Sequence, residues 1–227
     1  MNATPLYLTP SELVYLNGEK FAPKGGIFNK TRLVHLDFEV SSAPLAQALF
    51  AAAFLTLEQQ GTLRLEIRQK KTLFGLASAR ALYADSVGPA AAWPQDTIET
   101  ALARIAYNLA MNKGQNEVSN VVYAWLGQDS TVPVEEVFNW VKAGLAARGL
   151  LDARVQTHLK IFKSTVYACP PQTLALAAGQ PLQLVQQLFG WCQQSRPEVW
   201  KMLNSQISSG IEARREKTDT DTDTTSD

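Results

Sequence analysis

The chain has few of the residues that catalysis or metal binding requires, and none stands in a recognisable spacing. Its two histidines, His35 and His158, form no HxxxH or HExxH pattern, so a zinc site lacks its ligand set. Its two cysteines, Cys169 and Cys192, form no CxxC pair and imply no disulfide framework. The GxSxG, GxxxxGK(S/T) and GxGxxG motifs are absent. We therefore expect a protein that is not an enzyme and that uses no metal and no cofactor.

The carboxylates have a structural interpretation. Glu135 and Glu136, like Asp96 and Glu99, lie in the first turns of predicted helices, where negative charge stabilises the helix macrodipole. An enzyme whose site these patterns do not reveal is the third hypothesis for this chain.

Clustered cations are the clearest candidates for binding. Two predicted hairpins carry basic residues close to their turns, within residues 64–71 and 154–163. Such clusters bind phosphates and anionic lipid headgroups, although solvated hairpin tips are the simpler explanation. The candidate contacts are Arg64, Arg68, Lys70, Lys71, Lys160 and Lys163.

Tryptophans near predicted loops are a second kind of candidate. Trp93 and Trp125 adjoin loops, where an exposed aromatic ring can enter a membrane interface. Packing against the core is the alternative for both side chains. Trp140 lies in the middle of a predicted helix, and we expect it in the core.

The overall composition excludes some classes of partner. The 21 Lys and Arg residues balance the 21 Asp and Glu residues, so whole-chain charge attracts neither nucleic acid nor an anionic membrane. The longest apolar run, residues 43–57, is shorter than the roughly 20 residues that span a bilayer. The start of the chain does not resemble a secretory signal. We expect a cytoplasmic protein that reaches membranes, if at all, only peripherally.

A pattern of helix end, glycine and charged hairpin occurs twice. Aligning Gly61 with Gly149 matches Leu57 with Leu145 and Leu63 with Leu151, without a gap. Glycine after a helix indicates a left-handed C-terminal cap. Each half of the chain therefore contains a helix, a glycine stop and a two-stranded wing.

These signals predict a mainly α fold with small β-hairpins, built as a compact helical domain around a buried central helix. The predicted boundaries are one globular domain over 1–216, winged-helix-like units at about 41–85 and 131–170, C-terminal helices within 172–216, and a disordered acidic Thr/Asp tail at 217–227.

Local patterns predict the individual elements. The expected helices cover 9–17 with a cap at Thr9 or Ser11, 44–60, 97–112 with a cap at Asp96, 134–148, 172–194 and 197–216. Residues 117–127 fit either a helix or a strand, and we favour the helix. The alternation of polar and apolar residues over 32–40 predicts a strand.

Four segments of the chain resemble the Golgi phosphoprotein 3 family, in the order in which that family carries them. The central segment is "SSAPLAQALFAAAFLTLEQQGTLRLE", an apolar helix that ends at a glycine before a basic hairpin. The other three are "LTPSELVYLNG" (8–18), "DTIETALARIA" (96–106) and "VKAGLAARGLLDARVQTHLKIFKSTVYACP" (141–170). The resemblance covers roughly residues 8–170.

The resemblance implies a mostly helical fold and, from the eukaryotic members, peripheral binding to a phosphoinositide and the sorting of membrane enzymes. The family's phosphoinositide pocket uses one tryptophan and three arginines. The corresponding positions here fall near Phe38, Ala46, Phe138 and Trp140, which supply no cation. The chain thus resembles a prokaryotic-type member that lacks the pocket residues.

The first functional hypothesis is a non-enzymatic peripheral membrane or protein-interaction adaptor, with anionic lipids or a protein as partner. The alternative is a tandem winged-helix DNA-binding or regulatory protein. The first predicted central helix has no Lys or Arg over 44–57, so it offers no basic face to a DNA groove, which disfavours nucleic acid. The sequence leaves the oligomeric state open.

Overall fold

The computed structural model describes residues 7–27, 29–71, 78–88, 93–112, 114–127, 132–158 and 162–223. These ranges contain eight helices and six strands, and the prediction of a mainly α fold with small hairpins is confirmed. The helices are α1 (Pro10–Leu16), α2 (Ser42–Gln59), α3 (Ile98–Met111), α4 (Val118–Trp125), α5 (Pro133–Ala147), α6 (Pro171–Gly179), α7 (Leu182–Ser195) and α8 (Pro197–Asp223). The strands are β1 (Lys30–Arg32), β2 (Glu39–Ser41), β3 (Leu63–Lys71), β4 (Ser78–Ser86), β5 (Asp152–His158) and β6 (Phe162–Ala168).

Helix α2 is the element around which the others pack. Residues 49–57 are all buried, and they span more than two helical turns, so every face of this part of the helix is covered. Helices α1, α3, α5, α7 and α8 and strand β3 supply the covering surfaces. Among the described residues, no helix combines the length and the apolar character that a membrane span requires.

The two glycine stops have the same geometry, as the repeated sequence predicts. Gly61 and Gly149 adopt φ angles of 71° and 72°. Thr62 N–H donates to the Leu57 carbonyl oxygen at 2.9 Å, and Leu150 N–H donates to the Leu145 carbonyl oxygen at 2.8 Å. These are the bonds of a Schellman cap, which ends a helix and redirects the chain.

The first hairpin packs against the helices. Strands β3 and β4 pair antiparallel, with Leu65 opposite Ala84, and both of these residues are buried. The hairpin contacts α2, α3, α4 and α8. One of its faces therefore belongs to the core.

The second hairpin is exposed. In β5, residues 152–157 are all exposed, and so are residues 164–166 in β6. Val155 is 67% exposed and Val166 is 43% exposed. In the strand register Val155 lies opposite Thr165 and Val166 opposite Arg154, so the two valines are exposed singly on opposite faces of the hairpin.

Two N-terminal predictions need correction. Residues 32–40 are not one strand, because the chain reverses between β1 and β2, where Leu33 N–H donates to the Phe38 carbonyl oxygen at 3.1 Å. The cap of α3 is Thr97 and not Asp96, since the Thr97 hydroxyl accepts from Thr100 N–H at 3.4 Å. Alternating polarity fits two short strands joined by a turn as well as one long strand. Asp96 and Thr97 are both polar residues that can cap a helix, so the sequence alone does not choose between them.

The C-terminal region also differs from the prediction. The segment predicted as one helix over 172–194 is two helices, α6 and α7, separated at Gln180 and Pro181. Proline has no N–H to donate and forces the preceding residue out of the helical region. Helix α8 extends to Asp223, so residues 217–223 of the predicted disordered tail continue this helix. Extending an existing helix is far easier than nucleating one.

A buried polar network joins α1, α3 and α5. The Glu99 carboxylate accepts hydrogen bonds from the backbone N–H and the hydroxyl of Ser11, both at 2.9 Å. Its neighbour Glu12 accepts from Thr9 N–H at 2.9 Å and forms an ion pair with Arg148. Of these two buried carboxylates, Glu12 has a guanidinium partner and Glu99 accepts hydrogen bonds from Ser11. Burial raises the pKa of Glu99 to about 7, and the two Ser11 donors offset part of that effect.

We predict that Gly61→Ala and Gly149→Ala each lower the free energy of unfolding by about 1–2 kcal/mol, because alanine is strained at positive φ. A new Cβ would meet no atom within 4 Å at either position, so the effect would come from the backbone alone. Urea denaturation measures it. The matched control is Gly190→Ala inside α7, where φ is ordinary and space is also free; it is expected to stabilise by about 0.5–1 kcal/mol. Equal effects at all three sites would contradict the left-handed assignment.

We predict that Glu99 lowers the stability of the folded protein as pH rises from about 4.5 to 7, in the same direction as Glu12, whose pKa burial also raises. In this range the unfolded chain has released the Glu99 proton and the folded chain has retained it, so the free energy of unfolding falls with pH. The loss attributable to Glu99 is at most about 3 kcal/mol. Denaturation of wild type and Glu99→Gln at pH 5 and 7.5 measures it, and the same slope in both proteins would contradict the prediction.

Candidate functional site

Arg64 and Arg68 in β3 are ion-paired with carboxylates of the same hairpin. Arg68 lies 3.0 Å from the Glu66 carboxylate and also pairs with Asp85. Arg64 is 3.8 Å from Glu66 and 3.9 Å from Asp85. The positive charges of Arg64 and Arg68 are therefore largely neutralised by Glu66 and Asp85.

The remaining described cations of this hairpin pair with residues of the helical body. The Lys70 amine is 2.9 Å from the Glu117 carboxylate, and Arg80 pairs with Glu198. The side chain of Lys71 lies outside the described residues. The sequence shows the cations as a basic cluster, but Arg64 and Arg68 have partners within the hairpin and Lys70 and Arg80 have partners in distant segments. The described part of the hairpin therefore has little excess positive charge.

The two tryptophans proposed for a membrane interface both pack against the core. The Trp93 ring lies 5.8 Å from the Tyr7 ring, and its Nε1–H donates to the Gln60 side chain at 2.9 Å. Trp125 packs edge-on against Phe50 at 5.2 Å. In this structure both side chains pack against the core, which was the alternative to a place in a membrane interface.

Trp140 is more exposed than predicted. It lies in α5 and packs on Trp125 at 5.5 Å, but 40% of its surface is accessible. Its position in the middle of a helix does not decide its burial, because α5 is covered on one side only. Trp191 of α7 is also exposed.

The structure describes fewer of the candidate cations of the second hairpin than of the first. Arg154 in β5 is exposed and lies opposite Val166 in the strand register. Lys163 lies opposite Thr157, and its side chain falls outside the described residues, as does the whole of Lys160. The evidence that the tip of the second hairpin is positively charged therefore comes from the sequence alone.

A groove runs along the base of the second hairpin, between strand β6, helix α5 and the turn that joins β1 to β2. We call it the hairpin groove. Its volume is about 720 Å³. Among the described residues, its lining contains cationic and apolar side chains and no carboxylate; it comprises Arg32, Leu33, Val34, His35, Leu36, Lys142, Thr165, Val166, Tyr167, Ala168, Cys169 and Leu174.

Lys142 is the most unusual cation of the hairpin groove. Its amine lies over the Tyr167 ring, 5.5 Å from the ring centre, in a cation–π contact. Burial lowers the pKa of Lys142, and the charge of Glu135 acts weakly in the opposite direction. A partly desolvated amine gains from a nearby anion, because the anion favours its charged form.

Arg32 and His35 are the other basic groups of the hairpin groove. Arg32 forms an ion pair with Asp37 at 2.7 Å, but both side chains are largely exposed, so a competing anion can replace this partner. His35 is half-buried, and burial lowers its pKa despite the opposing charge of Glu19. Its Nδ1 is buried and has no hydrogen-bond partner among the described residues.

The sequence patterns did not identify these three residues as candidates. Lys142 lies more than 100 residues after Arg32 and His35 in the chain, so no local charge cluster or spacing joins the three. Their proximity depends on how the turn between β1 and β2 packs beside α5. A search for sequence motifs cannot detect that packing.

Other kinds of site find no support in the described ranges. No group of three or more His, Cys, Asp or Glu side chains within them could hold a metal ion. Both cysteines are free thiols, and burial raises the pKa of each, which disfavours the reactive thiolate.

Comparison with known proteins adds no assignment. No family model matches the chain, and no curated protein matches it.

We predict that Lys142 titrates at a lower pH than a free lysine side chain, because burial opposes its charge. NMR of isotope-labelled dimethyl-lysine measures the titration, and a Lys142→Arg variant assigns the signal. Addition of glycerol phosphate should raise the pKa of Lys142. An unchanged titration of Lys142 in the presence of glycerol phosphate would contradict an anion site at the hairpin groove.

Proposed function

We propose that the chain is a non-enzymatic, cytoplasmic adaptor that binds anionic lipid headgroups peripherally through the hairpin groove and the adjoining second hairpin. The observation that carries the proposal is the charge pattern. The described cations of the first hairpin all have carboxylate partners, whereas Lys142 in the hairpin groove forms no ion pair among the described residues. Arg32 adds a second positive charge, since its partner Asp37 is 93% exposed and is not part of the groove lining.

Electrostatics and hydrophobicity act together in this proposal. A Lys or Arg near an anionic membrane surface contributes about 1 kcal/mol of attraction. Exposed Val166 and Leu36, which both line the hairpin groove, add apolar surface that can enter the interface. Neither contribution is large, so binding would be reversible.

The resemblance to the Golgi phosphoprotein 3 family supports the proposal in kind. The family's eukaryotic members are peripheral membrane proteins, and this chain has no arginine at the positions that match the family's pocket. Arg32 and Lys142 would supply the positive charge from different positions. The headgroup preference therefore need not be that of the eukaryotic members.

A nucleic-acid function has less support. The helix before the first wing is α2, which is buried on every face over 49–57 and cannot enter a DNA groove. The helix before the second wing is α5, which begins with Glu135 and Glu136 and would bring negative charge to the phosphates.

We predict that the full chain co-sediments at low salt with phosphatidylcholine vesicles that contain phosphatidylserine, and much less with phosphatidylcholine alone. Replacing both groove cations, in Arg32→Gln with Lys142→Gln, should weaken binding roughly tenfold or more, because two attractive charges are lost. Raising the salt concentration should weaken wild-type binding in the same direction.

The matched control also removes two exposed cations, in Lys201→Gln with Arg215→Gln, both on α8 and outside the groove. This variant should bind nearly as well as wild type. Absence of vesicle binding at low salt would disprove the membrane function. Equal losses in the two double variants would show that net charge, and not the hairpin groove, determines binding.

A further inference from the structure

A second groove lies on another part of the molecule, between the C-terminal end of α2 and helix α7. We call it the α7 groove. Its volume is about 520 Å³, within the range of small-molecule sites. It is lined by Leu55, Glu58, Gln59, Leu184, Gln187, Leu188, Trp191 and Arg196.

The body of the α7 groove is apolar. Leu55 is buried and forms part of its inner surface, and Leu188 is partly buried. Leu184 and Trp191 are 61% and 51% exposed, although both lie beside the groove. Leu184, Leu188 and Trp191 are spaced four and three residues apart, so they form one stripe along α7. An exposed apolar stripe beside a concave surface is typical of a binding site.

The polar groups of the groove form a neutral pair. Arg196 Nη1 donates to the Glu58 carboxylate at 2.7 Å, and its Nη2 donates to the Leu65 carbonyl oxygen at 2.8 Å. The other Glu58 oxygen accepts from Leu65 N–H at 2.9 Å. Each carboxylate oxygen can accept a second hydrogen bond, and a guanidinium has five N–H groups. The pair therefore offers both donors and acceptors without net charge.

We propose that the α7 groove binds a neutral amphipathic small molecule with a hydrocarbon body and a head that both donates and accepts hydrogen bonds, such as a fatty amide or alcohol. The hydrocarbon lies along Leu55, Leu184, Leu188 and Trp191, and the head meets Glu58 and Arg196. A charged head would add an unpaired charge beside a pair that is already neutral, which is unfavourable in a partly buried site. This site is independent of the hairpin groove.

The test uses N-phenylnaphthylamine, a neutral fluorescent probe, with the full chain. Probe fluorescence should rise on binding, and decanamide and decanol should displace the probe below their aggregation concentrations. Decanoate and decylammonium should need about tenfold higher concentrations, since each buries an additional charge. No fluorescence increase would overturn the proposal, and equal displacement by all four compounds would overturn the assigned chemistry.

Variants at exposed positions keep the fold intact. Leu184→Asp and Trp191→Ala should each weaken probe binding about tenfold, because apolar contact area is lost. Met111→Asp replaces an equally exposed apolar residue of α3 outside the groove and should have no effect. The same loss in all three would overturn the site.

Glu58→Gln tests the role of the charge pair. Its side-chain oxygen can still accept from Leu65 N–H, but Arg196 loses its carboxylate partner and the groove gains positive charge. The preference should then shift from decanamide toward decanoate. An unchanged preference in a variant with wild-type circular dichroism would overturn the placement of the head. If this variant does not fold, displacement of the probe by the four compounds from wild type, together with probe binding by Leu184→Asp, still tests the proposed ligand.

Probe binding should persist in the variant with Arg32→Gln and Lys142→Gln, which separates this test from vesicle binding.

Discussion

The complete burial of α2 is the constraint on which the rest of the structure depends. An eighteen-residue helix with apolar residues on nearly every face cannot lie at a surface, so other elements must cover it from all directions. Five helices and one strand do so. The first hairpin and the C-terminal helices α7 and α8 consequently pack against it, and the α7 groove lies where the C-terminal end of α2 meets α7.

The two Schellman caps show how far a repeated sequence controls a repeated structure. Each cap ends a helix with the same pair of backbone hydrogen bonds and starts a hairpin. The subsequent course of each hairpin depends on its neighbours. Alternating Leu63 and Leu65 bury one face of the first hairpin, whereas the second carries polar residues with Val155 and remains exposed. The two units thus share the backbone geometry of their caps, but their hairpins differ in which residues are buried and which are exposed.

Charge pairing divides the surface into regions with different binding potential. Where a carboxylate lies within reach of a cation, as Asp85 lies near Arg68, a further anion gains little. Where a cation faces an aromatic ring, as Lys142 faces Tyr167, its positive charge stays available. The α7 groove is a third case, because Glu58 and Arg196 neutralise each other but retain hydrogen-bonding capacity. The number of basic residues in a segment therefore says little about its affinity for anions.

The sequence by itself determined the mainly α class, the buried central helix, the two glycine stops and the helix–hairpin units, since these depend on periodicity and on backbone conformations encoded by a few adjacent residues. It wrongly predicted one strand over 32–40 and one helix over 172–194, where the structure has a chain reversal and a break at Gln180 and Pro181. Only the tertiary structure decided the sites. The partners of Lys70 and Arg196, and the proximity of Arg32 to Lys142, join segments far apart in the chain. No local pattern records such contacts, because they arise from the packing of whole elements around α2.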